Sequence, residues 1–246
     1  MLGETTKWET ASVAGLRTVN ADAVGALRST ATGRMVFALA DGIGDDSRAA
    51  RAARLATDAA VRTPAEDGPA AAVLAAQRVL LARPDAGDCV LVVAMSTVDG
   101  GYAIAWVGDA RAYRWDGTAL RQATADHTIA EYFRDRGLAT SARMEHVVTS
   151  SVRTATPAAI GSAEIAGPAA GLLLTSDGVH KTVDEDAMLA VLTREPGHGH
   201  ERATALVELA AALGGRDNTT ALVVDPPRAA SGAAAEEEIA TRPIAA

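Results

Sequence analysis

The sequence predicts an α+β fold, a four-layer α-β-β-α sandwich of two antiparallel sheets with a helix pair on each outer face. Three observations predict it. Apolar runs of strand length recur along the chain, separated by tight-turn signals such as Asp99-Gly100-Gly101 and Asp116-Gly117. Two pairs of alanine- and leucine-rich helical segments stand apart in sequence, so each pair has its own face to cover. With 48% hydrophobic residues in 246, the chain has enough apolar material for one large core.

The elements follow in order. Residues 1–10 read as a lead-in or edge strand, and 12–19 as a strand ending at the polar step Asn20-Ala21-Asp22. Residues 35–40 are continuously apolar, as in a strand buried on both faces. Residues 47–62, alanine-rich with arginines at 48, 51 and 54, read as a helix begun by Asp46 or Ser47. Residues 66–82 form a second helix, stopped before Pro84. Strands 89–97 and 102–107 make one hairpin, and strands 110–115 and 119–122 another. Residues 128–136 form a helix closed by Gly137, while 142–153 have no single reading. Strands 164–166 and 172–176 are parted by Gly167-Pro168 and Gly171. Helices 184–194 and 201–213 flank Pro196-Gly197, and 219–224 is the last strand. Residues 1–226 are thus expected to make one domain. The alanine- and glutamate-rich stretch 227–246 is expected to be a disordered tail.

Composition excludes several classes of function. The net charge is −8, the pI is near 5.1, and no basic stripe is present, which argues against nucleic acid as a partner. The single cysteine, Cys89, rules out a disulfide within the chain and a cysteine zinc cluster, and reads as a small buried hydrophobe. The opening MLGETTKWET has neither a basic start nor an apolar stretch, and no apolar run approaches the roughly 20 residues that span a bilayer. A cytoplasmic monomer with no membrane partner is expected. His127 reads as the start of a helix, and His180, His198 and His200 as solvent-exposed.

Three aspartates stand where apolar runs open into turns: Asp41 in MVFALADGIG, Asp177 in LLLTSDG, and Asp217 before the run TTALVV. A strand end holds a side chain rigidly at a sheet edge. Carboxylates gathered there suit hard divalent cations, and a pair of such ions suits the hydrolysis of phosphate esters.

Five blocks extend this pattern: GLRTVNAD (15–22), FALADGIG (37–44), WVGDARAYRWDG (106–117), LLLTSDG (172–178) and RDNTTALVV (216–224). In this order and spacing they resemble the metal-dependent serine/threonine protein phosphatases of the type 2C (PPM) family, bacterial type. The resemblance implies a two-sheet sandwich between helix pairs, which agrees with the independent reading of the elements. It implies a phosphatase that hydrolyses phosphoserine and phosphothreonine in proteins, opposing a bacterial serine/threonine kinase. It implies Mn²⁺ or Mg²⁺ as cofactor, as two ions with a third, weaker one. Asp41 would bridge two ions, the Gly42 carbonyl would bind one of them, and Asp177 and Asp217 would complete the first ion's ligands. Asp109 would bind the third ion, Asp22 would orient the attacking water, and Arg17 would hold the phosphate.

The chain departs from the family at two places. Ala21 stands where the family has a glutamate that binds the second ion, so the second site lacks a charged ligand. After the first aspartate the chain reads DGIGDD, and Asp45 and Asp46 either cap the next helix or partly replace the missing carboxylate. The first departure motivates an alternative reading, a phosphatase-like module that binds phosphoproteins with weak or no catalysis.

Overall fold

The central strands of this chain are apolar at successive positions because both of their faces are covered. The computed structural model describes residues 7–167, 170–194 and 201–226. Its strands are β1 (Trp8–Val13), β2 (Asp22–Arg28), β3 (Met35–Gly42), β4 (Cys89–Ser96), β5 (Tyr102–Val107), β6 (Arg111–Trp115), β7 (Leu120–Gln122), β8 (Gly161–Ile165), β9 (Gly171–Thr175) and β10 (Thr219–Val224). They form two five-stranded antiparallel sheets, ordered β2-β3-β4-β5-β8 and β1-β10-β9-β6-β7. Helices α1 (Ser47–Val61) and α2 (Pro69–Leu81) cover the first sheet. Helices α5 (Glu185–Leu192) and α6 (Arg202–Ala212) cover the second.

Strand parity sorts the core into three layers. On β3, Met35, Phe37 and Leu39 face the second sheet, while Val36, Ala38 and Ala40 face α1 and α2. On β9 and β10, Leu172, Leu174, Leu222 and Val224 meet them between the sheets, while Leu173, Ala221 and Val223 lie under α5 and α6. The expected four-layer sandwich is therefore present, built from aliphatic side chains. Small residues do the close packing: Ala49, Ala52, Ala53, Ala56 and Ala60 are all buried on α1. Cys89 is fully buried in the layer beneath α1 and α2, as expected.

The structure differs from the sequence reading at the first sheet's edge. Residues 12–19 do not form one strand: β1 ends at Val13 and the chain turns at Gly15, whose φ of 59° suits glycine. The strand there is β2, DAVGALR, unrecognised in the sequence because its small residues and partial exposure carry little strand signal. The second helix starts later than expected, with Pro69 in its first turn. The ambiguous 142–153 contains a 3-10 turn, Ala142–His146, and β8 begins earlier than the expected 164–166 strand. Two short helices complete the described elements: α3 (Ile129–Arg134), capped by Thr128 just after His127, and α4 (Asp177–His180), unexpected, directly after β9. His198, His200, the Pro196-Gly197 break and the tail at 227–246 lie outside the described residues.

The turn between β1 and β2 is tied to the start of β10 by one side chain. Asn218 Nδ2 donates to the carbonyls of Ala14 (2.9 Å) and Val19 (3.0 Å), and Asn218 Oδ1 accepts from the Ala21 N–H (2.8 Å). Asn218→Ala removes all three bonds and leaves buried backbone groups unpaired. A destabilisation of about 3 kcal/mol is expected, read as a lower urea midpoint with unchanged slope.

His180, expected to be exposed, is buried instead, with Nδ1 at 2.9 Å from Thr175 Oγ1 and no partner for Nε2. Burial pushes its pKa well below the ordinary 6.5, and the charges of Arg111 and Lys181 push the same way. Folded His180 stays neutral while the unfolded chain takes up the proton below pH 6.5. Stability is therefore lost as pH falls from 6.5 toward the folded value, by at most about 1.4 kcal/mol per pH unit for this group. His180→Gln should flatten the fall in melting temperature between pH 6.5 and pH 5, measured by differential scanning calorimetry.

Candidate active site

Strand ends of both sheets bring five carboxylates to one edge of the sandwich. Asp41 ends the apolar run of β3, and Asp22 lies directly opposite it in register at the start of β2. Asp177 follows β9 at the first position of α4, and Asp217 precedes β10, which pairs with β9. Asp109 sits in the turn between β5 and β6 and is buried. The structure thus gathers every carboxylate that the sequence singles out for the site.

Their closeness shows in the electrostatics. Burial pushes the Asp41 carboxyl well above the usual carboxylate range, and Asp22, Asp177, Asp109 and Asp217 each push it further. Asp22 is pushed up to about 6, chiefly by burial. The nearby Thr220 hydroxyl and the Ser176 hydrogen bond oppose that rise, and the charges of Asp177 and Asp217 add to it. Ser176 Oγ donates to Asp22 Oδ2 at 2.7 Å, while Asp22 Oδ1 is buried without a partner. An orphaned carboxylate oxygen inside a cluster of repelling acids fits a hard cation held by oxygen ligands. Among the described residues, no three or more acidic, histidine or cysteine side chains are already drawn together in metal-binding geometry.

Gly42 follows Asp41 where the chain passes beneath α1. A Cβ here would lie 2.6 Å from the Ala49 carbonyl oxygen and 2.9 Å from that of Ala21, so the passage requires glycine. The Gly42 N–H donates to the Ala21 carbonyl at 3.1 Å, locking the two loops together. Ala21 itself is fully buried against Ala49 and Ala50. The position that carries a glutamate in the family resemblance is here part of the packing under α1.

Arg17 reaches the cluster from the turn after β1. Its Nη2 donates to Asp217 Oδ2 at 2.8 Å, and its Nη1 lies 3.8 Å from Asp45 Oδ2. It is part-exposed, so the fork stays open to solvent on the rim of the site. The two acids after Gly44 divide their work. Asp46 caps α1, accepting from the N–H groups of Arg48 and Ala49, both at 2.9 Å. Asp45 instead faces Arg17.

Lys181 is the residue that sequence reasoning missed. Its Nζ donates to Asp109 Oδ2 (2.7 Å), Asp177 Oδ2 (3.0 Å) and the Glu145 carbonyl (3.1 Å). Burial lowers its pKa, and the Asp177 and Asp109 carboxylates outweigh that and raise it. The available signal was a lysine four residues after Asp177, one helical turn along. A cleft of about 130 Å³ opens here, lined by Asp41, Asp109, Asp177, Lys181, His146 and Val148. His146 thus stands on the cleft wall. A larger groove of about 510 Å³ lies elsewhere, along α1 among Arg48, Arg51, Arg54 and Arg83 with Asp58 and Asp85, and contains none of the clustered acids.

No family profile matches this sequence, and no curated protein matches it. Solved structures match over almost the whole chain. The PPM Ser-Thr phosphatase MsPP from Mycobacterium smegmatis, in complex with cacodylate, is 27% identical with a TM-score of 0.72, covering 90% of this chain and 98% of its own. PppA, a regulatory component of T6SS in Pseudomonas aeruginosa, is 26% identical with a TM-score of 0.74 and the same coverage. The serine/threonine phosphatase Stp1 from Staphylococcus aureus shares the fold at 21% identity and a TM-score of 0.77, over 91% of this chain and 96% of its own. The ordered blocks and the end-to-end overlay agree: this chain has the fold of the bacterial PPM serine/threonine phosphatases and is similar to them along almost its whole length.

Proposed function

We propose that this chain hydrolyses phosphoserine and phosphothreonine in proteins, using Mn²⁺ or Mg²⁺ bound at the clustered aspartates. The observation that carries the reading is Asp41, half-buried on the cleft wall beside four other carboxylates that each raise its pKa. The donor set is all oxygen, the preference of Mg²⁺ and Mn²⁺.

In this reading Asp41, Asp177 and Asp217 hold the ions, with the Gly42 carbonyl as a neutral ligand. When bound, the ions supply charge neutralisation and a more acidic water. Asp22, fixed by Ser176 and with Oδ1 unpartnered, would orient the attacking water. Arg17 turns its planar fork toward the phosphate oxygens, and its contacts with Asp217 and Asp45 hold it at the rim until substrate arrives. The reading extends to residues 1–226 as the catalytic domain, acting as a cytoplasmic monomer on proteins phosphorylated by a bacterial serine/threonine kinase. Among the described residues no helix is long and apolar enough to cross a membrane.

Hydrolysis of a phosphothreonine peptide by purified protein, with Mn²⁺ and with EDTA, tests the reading. Metal-dependent turnover is expected. Asp41→Asn and Asp177→Asn should each lower it about a hundredfold or more, the scale of losing one preorganised charge-stabilising group, with circular dichroism unchanged. Folded protein that turns over nothing across a wide Mn²⁺ range would leave the phosphoprotein-binding module instead.

Ala21→Glu tests the second ion's site. Because Ala21 is fully buried against Ala49 and Ala50, a glutamate there should destabilise the protein by about 2 kcal/mol or more without raising turnover. A large rise in rate at unchanged melting temperature would mean that the second ion does lack a carboxylate in the native chain.

A further inference from the structure

We propose that Lys181 is a fixed internal cation that takes the place of a third metal ion between Asp109 and Asp177. The inference rests on the metal-site reading above and changes its content: Asp109 serves as the partner of an ammonium group, leaving a two-ion centre.

The geometry is complete. An ammonium group has three N–H donors, and those of Lys181 have three acceptors: Asp109 Oδ2 at 2.7 Å, Asp177 Oδ2 at 3.0 Å and the Glu145 carbonyl at 3.1 Å. The side chains of Lys181 and Asp109 are 19% and 8% exposed, so water competes little for these bonds. A divalent ion between the same two carboxylates would need oxygen ligands at about 2.0–2.2 Å, in the space the ammonium fills. It would also stand within a few Å of a positive charge in a poorly solvated place, where repulsion is strong. The short helix α4 sets Lys181 one turn beyond Asp177, within reach of its carboxylate.

The third bond gives the lysine a second effect. Glu145 belongs to the 3-10 turn Ala142–His146, and His146 and Val148 form part of the cleft wall. Lys181 therefore fastens this wall to two acids of the site. A metal ion in that place would come and go with its concentration, whereas a covalently attached ammonium does not.

Counting bound manganese tests this directly, by equilibrium dialysis at saturating Mn²⁺ with elemental analysis of the protein. The wild-type chain should hold two ions, and Lys181→Asn should hold three, the added one weaker. Asp109→Asn should leave the wild-type count at two, which decides the matter even if Lys181→Asn folds poorly. Three ions on the wild-type protein, with one lost in Asp109→Asn, would overturn the role of Lys181 and leave the metal-site reading standing. No bound manganese at all would overturn both.

Discussion

Like-charge repulsion among carboxylates that cannot move apart governs this molecule. Asp22, Asp41, Asp109, Asp177 and Asp217 stand at one edge of two packed sheets, and burial denies Asp22 and Asp109 most of the water that would screen their charge. A surface cluster of acids would splay. This one cannot, because Asp41 and Asp22 are register partners in a ladder, and Asp177 and Asp217 adjoin paired strands. The ladders and packed strands hold these acids together against their mutual repulsion, an arrangement that suits bound cations.

The rigidity comes from the layers. Each central strand is clamped on both faces, one against the other sheet and one against a helix pair, so a shift at a strand end would disturb two cores at once. The loops at that edge are held by specific bonds as well. Asn218 fastens the β1–β2 turn, Ser176 fixes Asp22, and the Gly42–Ala21 contact closes the passage under α1. Precise placement of reacting groups within tenths of an ångström is what positioning catalysis demands.

Much of this was legible in the sequence because strand ends leave a strong mark. A continuous apolar run that stops at Asp-Gly tells where a doubly buried strand opens, and Asp41 and Asp177 both carry that mark. The supporting side chains carry none. Ser176, Asn218 and Lys181 act through contacts with residues distant in the chain or one helical turn away, and nothing in their local composition separates them from ordinary polar residues. β2 escaped notice for a related reason: its strand character comes from pairing with β3 rather than from its own small residues. His180 misled in the opposite direction, since a polar residue in a turn-like setting reads as exposed while α4 turns it inward. Asp46 followed local rules and capped α1, whereas Asp45 beside it was claimed by a long-range partner.

The two departures from the family pattern bear on the same charge balance. Arg17 lies 2.8 Å from Asp217 and 3.8 Å from Asp45, so among the described residues the five clustered carboxylates and Asp45 are opposed by Arg17 and Lys181. Four formal negative charges remain, equal to those of two divalent cations. A glutamate at position 21 would add a fifth, and an uncharged residue at 181 would add another, so either change would call for further positive charge. Ala21 removes a carboxylate by turning its position into core, and Lys181 adds a cation by covalent attachment. Each lowers the positive charge that bound ions would have to supply for neutrality. In the proposed function, two divalent ions would bring such a site close to electroneutrality, and a phosphomonoester dianion would meet the Arg17 fork at the rim.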